Sequence, residues 1–144
     1  MSMSDPVRGQ CLCGGVKFSV ALKSTDVDAC HCAMCRSWAA GPFMGVMAAS
    51  APVFENDAHL GAYRSSDWAE RVFCKNCGSS LVWRMANDHA HAAISAGAVH
   101  LPDDTAFTLQ VFIDEKPGYY AFANKTKEMT GAELIAAFNS GEGA

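Results

Sequence analysis

Arg71-Val72-Phe73-Cys74-Lys75-Asn76-Cys77-Gly78-Ser79-Ser80-Leu81-Val82-Trp83 decides the reading of this chain. Apolar and β-favouring residues flank a Cys-x-x-Cys turn, so the stretch reads as two strands of a hairpin with two thiols at its tip. A glycine directly after the second cysteine supplies positive φ at no steric cost, which lets backbone amides turn toward a metal-bound sulfur. The same signature stands near the start of the chain, in Cys11-Leu12-Cys13-Gly14. Two such turns facing each other make a closed four-thiolate site, and Cys11, Cys13, Cys74 and Cys77 are therefore assigned to a structural zinc.

The remaining three of seven cysteines lie together in Cys30-His31-Cys32-Ala33-Met34-Cys35, and no glycine follows Cys35. Three thiolates leave the fourth position of a tetrahedral zinc open for water or substrate, which a catalytic zinc requires. Arg36 is the nearest cation to offset the negative charge of such a site. Residues 36–40 form a short helical turn stopped by Gly41-Pro42, so the thiols sit near a helix N-terminus that favours thiolate. Alternatively a histidine, His31 or a distant one, closes this site and makes it structural. His31 lies between two ligands, so its ring is expected to point away from their metal. His89, His91 and His100 fall in a loop-rich stretch and are expected in solvent.

A disulfide framework fits poorly. The cysteine count is odd, and the N-terminal Met-Ser-Met-Ser-Asp-Pro carries neither a basic nor an apolar leader region. A reducing, cytoplasmic setting is expected, where structural disulfides are rare. The 144 residues, half of them apolar, suffice for one domain spanning 1–144 with its own core. No apolar run is long enough to span a membrane. The net charge of −4, with Lys and Arg scattered singly, argues against nucleic-acid binding.

Further strands are expected at 16–20, 43–48, 91–95 and 108–113, with a last one over Tyr119-Tyr120-Ala121-Phe122 after a Pro117-Gly118 turn. One helix is strongly signalled: Thr130 and Glu133 make a capping box, Leu134, Ile135 and Phe138 an apolar face, and Gly141 a stop, with Gly141 to Ala144 loose. Many short strands and little helix give a mainly β fold.

Gln10-Cys11-Leu12-Cys13-Gly14-Gly15, Cys30-His31-Cys32-Ala33-Met34-Cys35-Arg36 with Gly41-Pro42-Phe43, and Arg71 to Leu81 together resemble the glutathione-dependent formaldehyde-activating enzyme family, which includes centromere protein V. The resemblance runs from Gln10 to about Tyr120. It implies the Mss-four-like (β-tent) fold, twisted antiparallel sheets around zinc sites, with two zincs per chain divided as above. It also implies a carbon–sulfur lyase handling thiol–aldehyde adducts such as S-hydroxymethylglutathione. Glutathione or another small thiol would be co-substrate and formaldehyde the aldehyde, with Cys30, Cys32, Cys35 and Arg36 catalytic. Many members carry a histidine where Gln110 stands and a tryptophan near Gly118-Tyr119, and these positions are expected to line the pocket. Trp38, Arg64, Trp68 and Tyr119 are further lining candidates. The alternative function is a non-catalytic zinc-stabilised module that binds protein or nucleic acid, and a thiol protein for redox or metal buffering is a third.

Overall fold

A computed structural model of the protein describes residues 5–140. Eleven strands and two α-helices among these residues confirm the mainly β class, with a short helix at the C-terminal end. They fall into two compact units, one of residues up to Thr25 with Gly45–Asp104, the other of Asp26–Met44 with residues from Thr105 onward.

The first unit contains β1 (Val7–Gln10), β2 (Lys17–Val20), β5 (Val53–Phe54), β6 (Leu60–Arg64), β7 (Ala69–Cys74), β8 (Ser80–Met85) and β9 (Asp88–Ser95). It also holds the greater part of β4 (Phe43–Met47). β1, β2 and β5 form one antiparallel sheet, and β4, β9, β8, β7 and β6 are neighbours in that order in another. Register places Val46, Ile94, Val82, Val72 and Ala62 opposite one another across five strands. The first four of these are fully buried, which is the period-two alternation of strands turned into a core row. Each such aliphatic side chain contributes about 1.5–3 kcal/mol by leaving water. His91 lies on β9, within the strand expected at 91–95, and His89 joins it because the strand begins three residues earlier than the apolar pattern suggests.

The second unit contains β3 (Val27–Cys30), α1 (Ala33–Ala39), β10 (Phe107–Val111), β11 (Lys127–Met129) and α2 (Gly131–Asn139). β10 runs parallel to both β3 and β11. It ends at Val111, and Phe112, which takes the left-handed φ of 54°, turns the chain into a single 3₁₀ turn over Ile113–Glu115. α1 spans Ala33–Ala39 and stops at Ala40, with φ of 62°, one residue before Gly41. In α2 the capping box is complete: Thr130 Oγ1 accepts from the Glu133 amide at 3.1 Å and Glu133 Oε1 from the Thr130 amide at 2.8 Å. The expected stop at Gly141 and the loose tail lie outside the described residues.

Residues 119–122 are not a strand. Lys116 donates its ammonium to the Tyr120 carbonyl, and the rings of Tyr120 and Phe122 gather on His31 and Phe107 instead of alternating across a sheet. The last strand is Lys127–Met129, whose sequence carries no apolar alternation.

Candidate metal centres

Both Gly-punctuated turns close hairpins. Cys11–Val16 joins β1 to β2, and Cys74–Ser79 joins β7 to β8. They share a backbone plan: the Cys11 amide donates to the Val16 carbonyl and the Cys74 amide to the Ser79 carbonyl, both at 3.0 Å. Gly14 and Gly78 take φ of +78° and +81°, the left-handed conformation inferred from sequence. Space around either Cβ position is open, so the requirement is conformational rather than steric.

The turns bring the sulfurs of Cys11, Cys13, Cys74 and Cys77 within 4.8 Å of one another, a set able to hold a metal ion. Cys13 Sγ lies 3.6 Å from Cys11 Sγ and 3.7 Å from Cys74 Sγ. A tetrahedral zinc with Zn–S near 2.3 Å has an S···S edge of about 3.8 Å, which these two separations match.

N–H groups converge on these sulfurs. Gly15 donates to Cys13 at 3.4 Å, Val16 to Cys11 at 3.2 Å, Cys77 to Cys74 at 3.4 Å, and the Asn76 side chain to Cys13 at 3.3 Å. Ser79 Oγ lies 3.2 Å from Cys77 Sγ and accepts from the Leu12 amide at 3.0 Å, tying the two turns together. Donors aimed at sulfur favour thiolate. The Ser79 hydroxyl and amide pull Cys77 down to about 5, and the Asn76 amide with the Gly15 N–H lowers Cys13. The Cys77 N–H also pulls on Cys74, but burial and its thiol neighbours outweigh it and leave Cys74 at about 11.

The second set is built from a strand end and a helix start. Cys30 ends β3, Cys32 is the N-cap of α1, and Cys35 lies in its first turn. Their sulfurs also lie within 4.8 Å of one another, and among the described residues no His, Asp or Glu joins the group. Cys35 is buried, while Cys30 and Cys32 are half-buried. The Cys35 amide donates to Cys32 Sγ at 3.3 Å. The Cys30 thiol donates to Cys32 and Cys35, which with burial pushes its pKa far up, as expected of three sulfurs crowded without a cation. Arg36 points its Nε at the His31 carbonyl, 2.9 Å away. Asp28, two residues before Cys30 on the same face of β3, is pushed up to about 7 by burial.

His31 joins neither donor set. It is fully buried, with Nε2 2.8 Å from Gln110 Oε1 and Nδ1 2.7 Å from the Tyr120 hydroxyl. Gln110 is therefore a buried partner of His31 and not a pocket-lining residue, because its amide nitrogen is also engaged, at 3.0 Å, by Thr126 Oγ1. Tyr120 is held above the usual phenol range, by burial first and with the Arg36 cation opposing. Sequence reading found neither Gln110 nor Tyr120 as partners of His31, since they lie 79 and 89 residues from it along the chain.

The lining candidates divide. Trp38 packs on Phe43, with ring centroids 5.2 Å apart, and Tyr119 is largely exposed beside Tyr120. Arg64 and Trp68 belong to the first unit. A cavity of about 830 Å³ opens in that same unit, lined by Arg8, Gln10, Leu12, Ser95 and His100 among others. It borders Cys11, not the three-thiol group, so this concavity and the three-thiol chemistry do not coincide.

No helix among the described residues is long and apolar enough to cross a membrane. The chain is 36% identical over 127 residues to an uncharacterized lyase of Schizosaccharomyces pombe, covering 88% of this chain and 93% of that protein. A crystal structure of a Rhodobacter sphaeroides protein shares the fold, with a TM-score of 0.56 at 22% identity over 70% of this chain and 99% of the other. The sequence profile of the glutathione-dependent formaldehyde-activating enzymes matches residues 6–115, a span that holds both thiol sets, Arg36 and Gln110. The chain belongs to the glutathione-dependent formaldehyde-activating enzyme family.

Proposed function

We propose that this protein is a zinc-dependent carbon–sulfur lyase acting on adducts of a small thiol with formaldehyde, with S-hydroxymethylglutathione the leading substrate. Cys30, Cys32 and Cys35 would hold the catalytic zinc, and Cys11, Cys13, Cys74 and Cys77 a structural one. The observation that carries this reading is the three-donor set with two half-buried members, which leaves one side of a tetrahedral ion to a ligand from solvent.

In the lyase direction the S-hydroxymethyl adduct gives the free thiol and formaldehyde. The carbon–sulfur bond breaks with its electron pair on sulfur, the pair of the hydroxyl O–H bond becomes the second carbon–oxygen bond, and the hydroxyl proton ends on the thiol. Cys30, Cys32 and Cys35 would hold a zinc ion, which would supply Lewis acidity toward the substrate sulfur at neutral pH. Cys30, Cys32 and Cys35 contribute the strongly donating ligand set, which favours thiol activation over carbonyl polarisation. Arg36, anchored to the His31 carbonyl, contributes a fixed positive charge against the one net negative charge of three thiolates on a dication. A cytoplasmic location fits this chemistry, because cellular thiols are reduced there.

The test is the exchange of formaldehyde with glutathione followed by NMR, with the wild type and Cys32→Ser compared against the uncatalysed rate. An enhancement lost in the variant supports the reading. No enhancement with any small thiol would favour the non-catalytic binding module.

A further inference from the structure

His31 is held at four points. Its amide donates to the Val111 carbonyl at 3.1 Å, its carbonyl accepts from Arg36 Nε, and both ring nitrogens are engaged. Burying an imidazole with unmet hydrogen bonds costs a few kcal/mol, so the partners are needed for it to occupy this position at all. Gln110 turns its amide nitrogen to Thr126 and its carbonyl oxygen to His31. With the amide so turned, His31 Nε2 donates to Gln110 and Nδ1 is left to the Tyr120 hydroxyl. One chain of donors runs from Tyr120 through His31 and Gln110 to Thr126.

His31 is also the residue between Cys30 and Cys32, where β3 has ended and α1 has not begun. Here the helix has not begun, and the pairing with β10 reaches only as far as the His31 amide. In the four-thiol set backbone amides reach three sulfurs and a positive-φ glycine stands in each turn. The segment from Cys30 to Cys35 holds no glycine to make such a turn. We propose that Gln110 and Tyr120 are positioning residues of the three-thiol site, clamping the His31 ring from both sides and so holding Cys30 and Cys32 at metal-binding separation. Outer groups that orient ligands of a metal typically change affinity about ten- to a hundredfold when removed. Here they act through the residue between two ligands rather than through a ligand itself. The inference rests on the three-thiol set binding a metal, as in the proposed function, but not on any catalysis there.

The experiment uses Tyr120→Phe, which keeps the ring stacked on His31 and removes only the hydroxyl. Tyr119→Phe at the exposed neighbour serves as control. Cobalt is loaded in place of zinc, and each site is followed by its sulfur-to-cobalt charge-transfer and d–d bands, with affinity from competing chelator. Tyr120→Phe is expected to weaken the second cobalt by about tenfold, shift the bands of that site and leave the first site's bands unchanged. Gln110→Leu should do the same or more, while Tyr119→Phe matches the wild type. A Tyr120→Phe protein with wild-type affinity and wild-type bands at the second site overturns the inference, even if it melts earlier. Clamp-sensitive bands in a wild type that shows no exchange activity would sink the lyase reading and leave the clamp standing. Activity with clamp-insensitive bands does the reverse.

Discussion

The two thiol sets solve one problem, converging sulfurs, by opposite means. In the four-thiol set the backbone support is local to each turn. Two hairpin tips, each with a left-handed glycine, direct their own amides at their own sulfurs, and Ser79 joins one tip to the other. In the three-thiol set the sulfurs lie within six residues, but the side chains proposed to steady the backbone between them, Gln110 and Tyr120, come from far along the chain. A site whose rigidity is written beside its ligands suits structure. One braced from outside, with a side left to solvent, suits exchange of ligands.

This contrast makes the first prediction the largest. Cys77→Ser removes one of the four thiols assigned to the proposed structural zinc, and a closed zinc site contributes its binding energy directly to folding. The expected result is insoluble protein, or a melting temperature lowered by on the order of 15 °C or more, measured by circular dichroism. Cys32→Ser should instead give folded protein with one metal per chain and no exchange enhancement. Equal thermal melts for these two variants would erase the distinction between the sites.

A smaller effect is expected from Asn76→Ala, which deletes the side-chain donor to Cys13 and the main cause of its lowered pKa. The bond is exposed, and solvent screening leaves it a modest contribution. Affinity at the first site should therefore drop severalfold, seen by chelator competition, with the second site unaltered.

The last effect, seen only as a pH dependence, belongs to Asp28. Its folded pKa of about 7 lies above the ordinary 3.8, so its contribution to stability is fully present below the ordinary value and is lost as pH rises through the folded one. In protein stripped of its second metal, denaturant unfolding should show a decline of on the order of 1–2 kcal/mol between about pH 5.5 and 8. Asp28→Asn should flatten that decline and be the more stable protein at about pH 8. A wild-type profile that stays flat would show that Asp28 is solvated and ordinary.

What the sequence discloses follows the same division. Cys13-Gly14 and Cys77-Gly78 are readable because a conformational requirement and its residue are adjacent, and the Thr130–Glu133 capping box is readable for the same reason. The core row of Val46, Ile94, Val82 and Val72 lies within strands that alternation finds. β11 is hidden because Lys127–Met129 has a partner, β10, but no pattern of its own. Tyr119 to Phe122 reads as a strand because aromatic residues favour strands, yet rings of this stretch pack on His31 and Phe107. The thiols of the second set are legible, and the buried contacts of His31 are not: nothing near Gln110 or Tyr120 says that a buried imidazole needs them.

Graded chelation with simultaneous metal counting and far-UV circular dichroism tests the two-site account most directly. The account predicts that mild chelator removes one metal per chain while the β signal persists, and that the second leaves only under conditions that collapse the fold. Loss of both metals together with the fold, in one step, would contradict it.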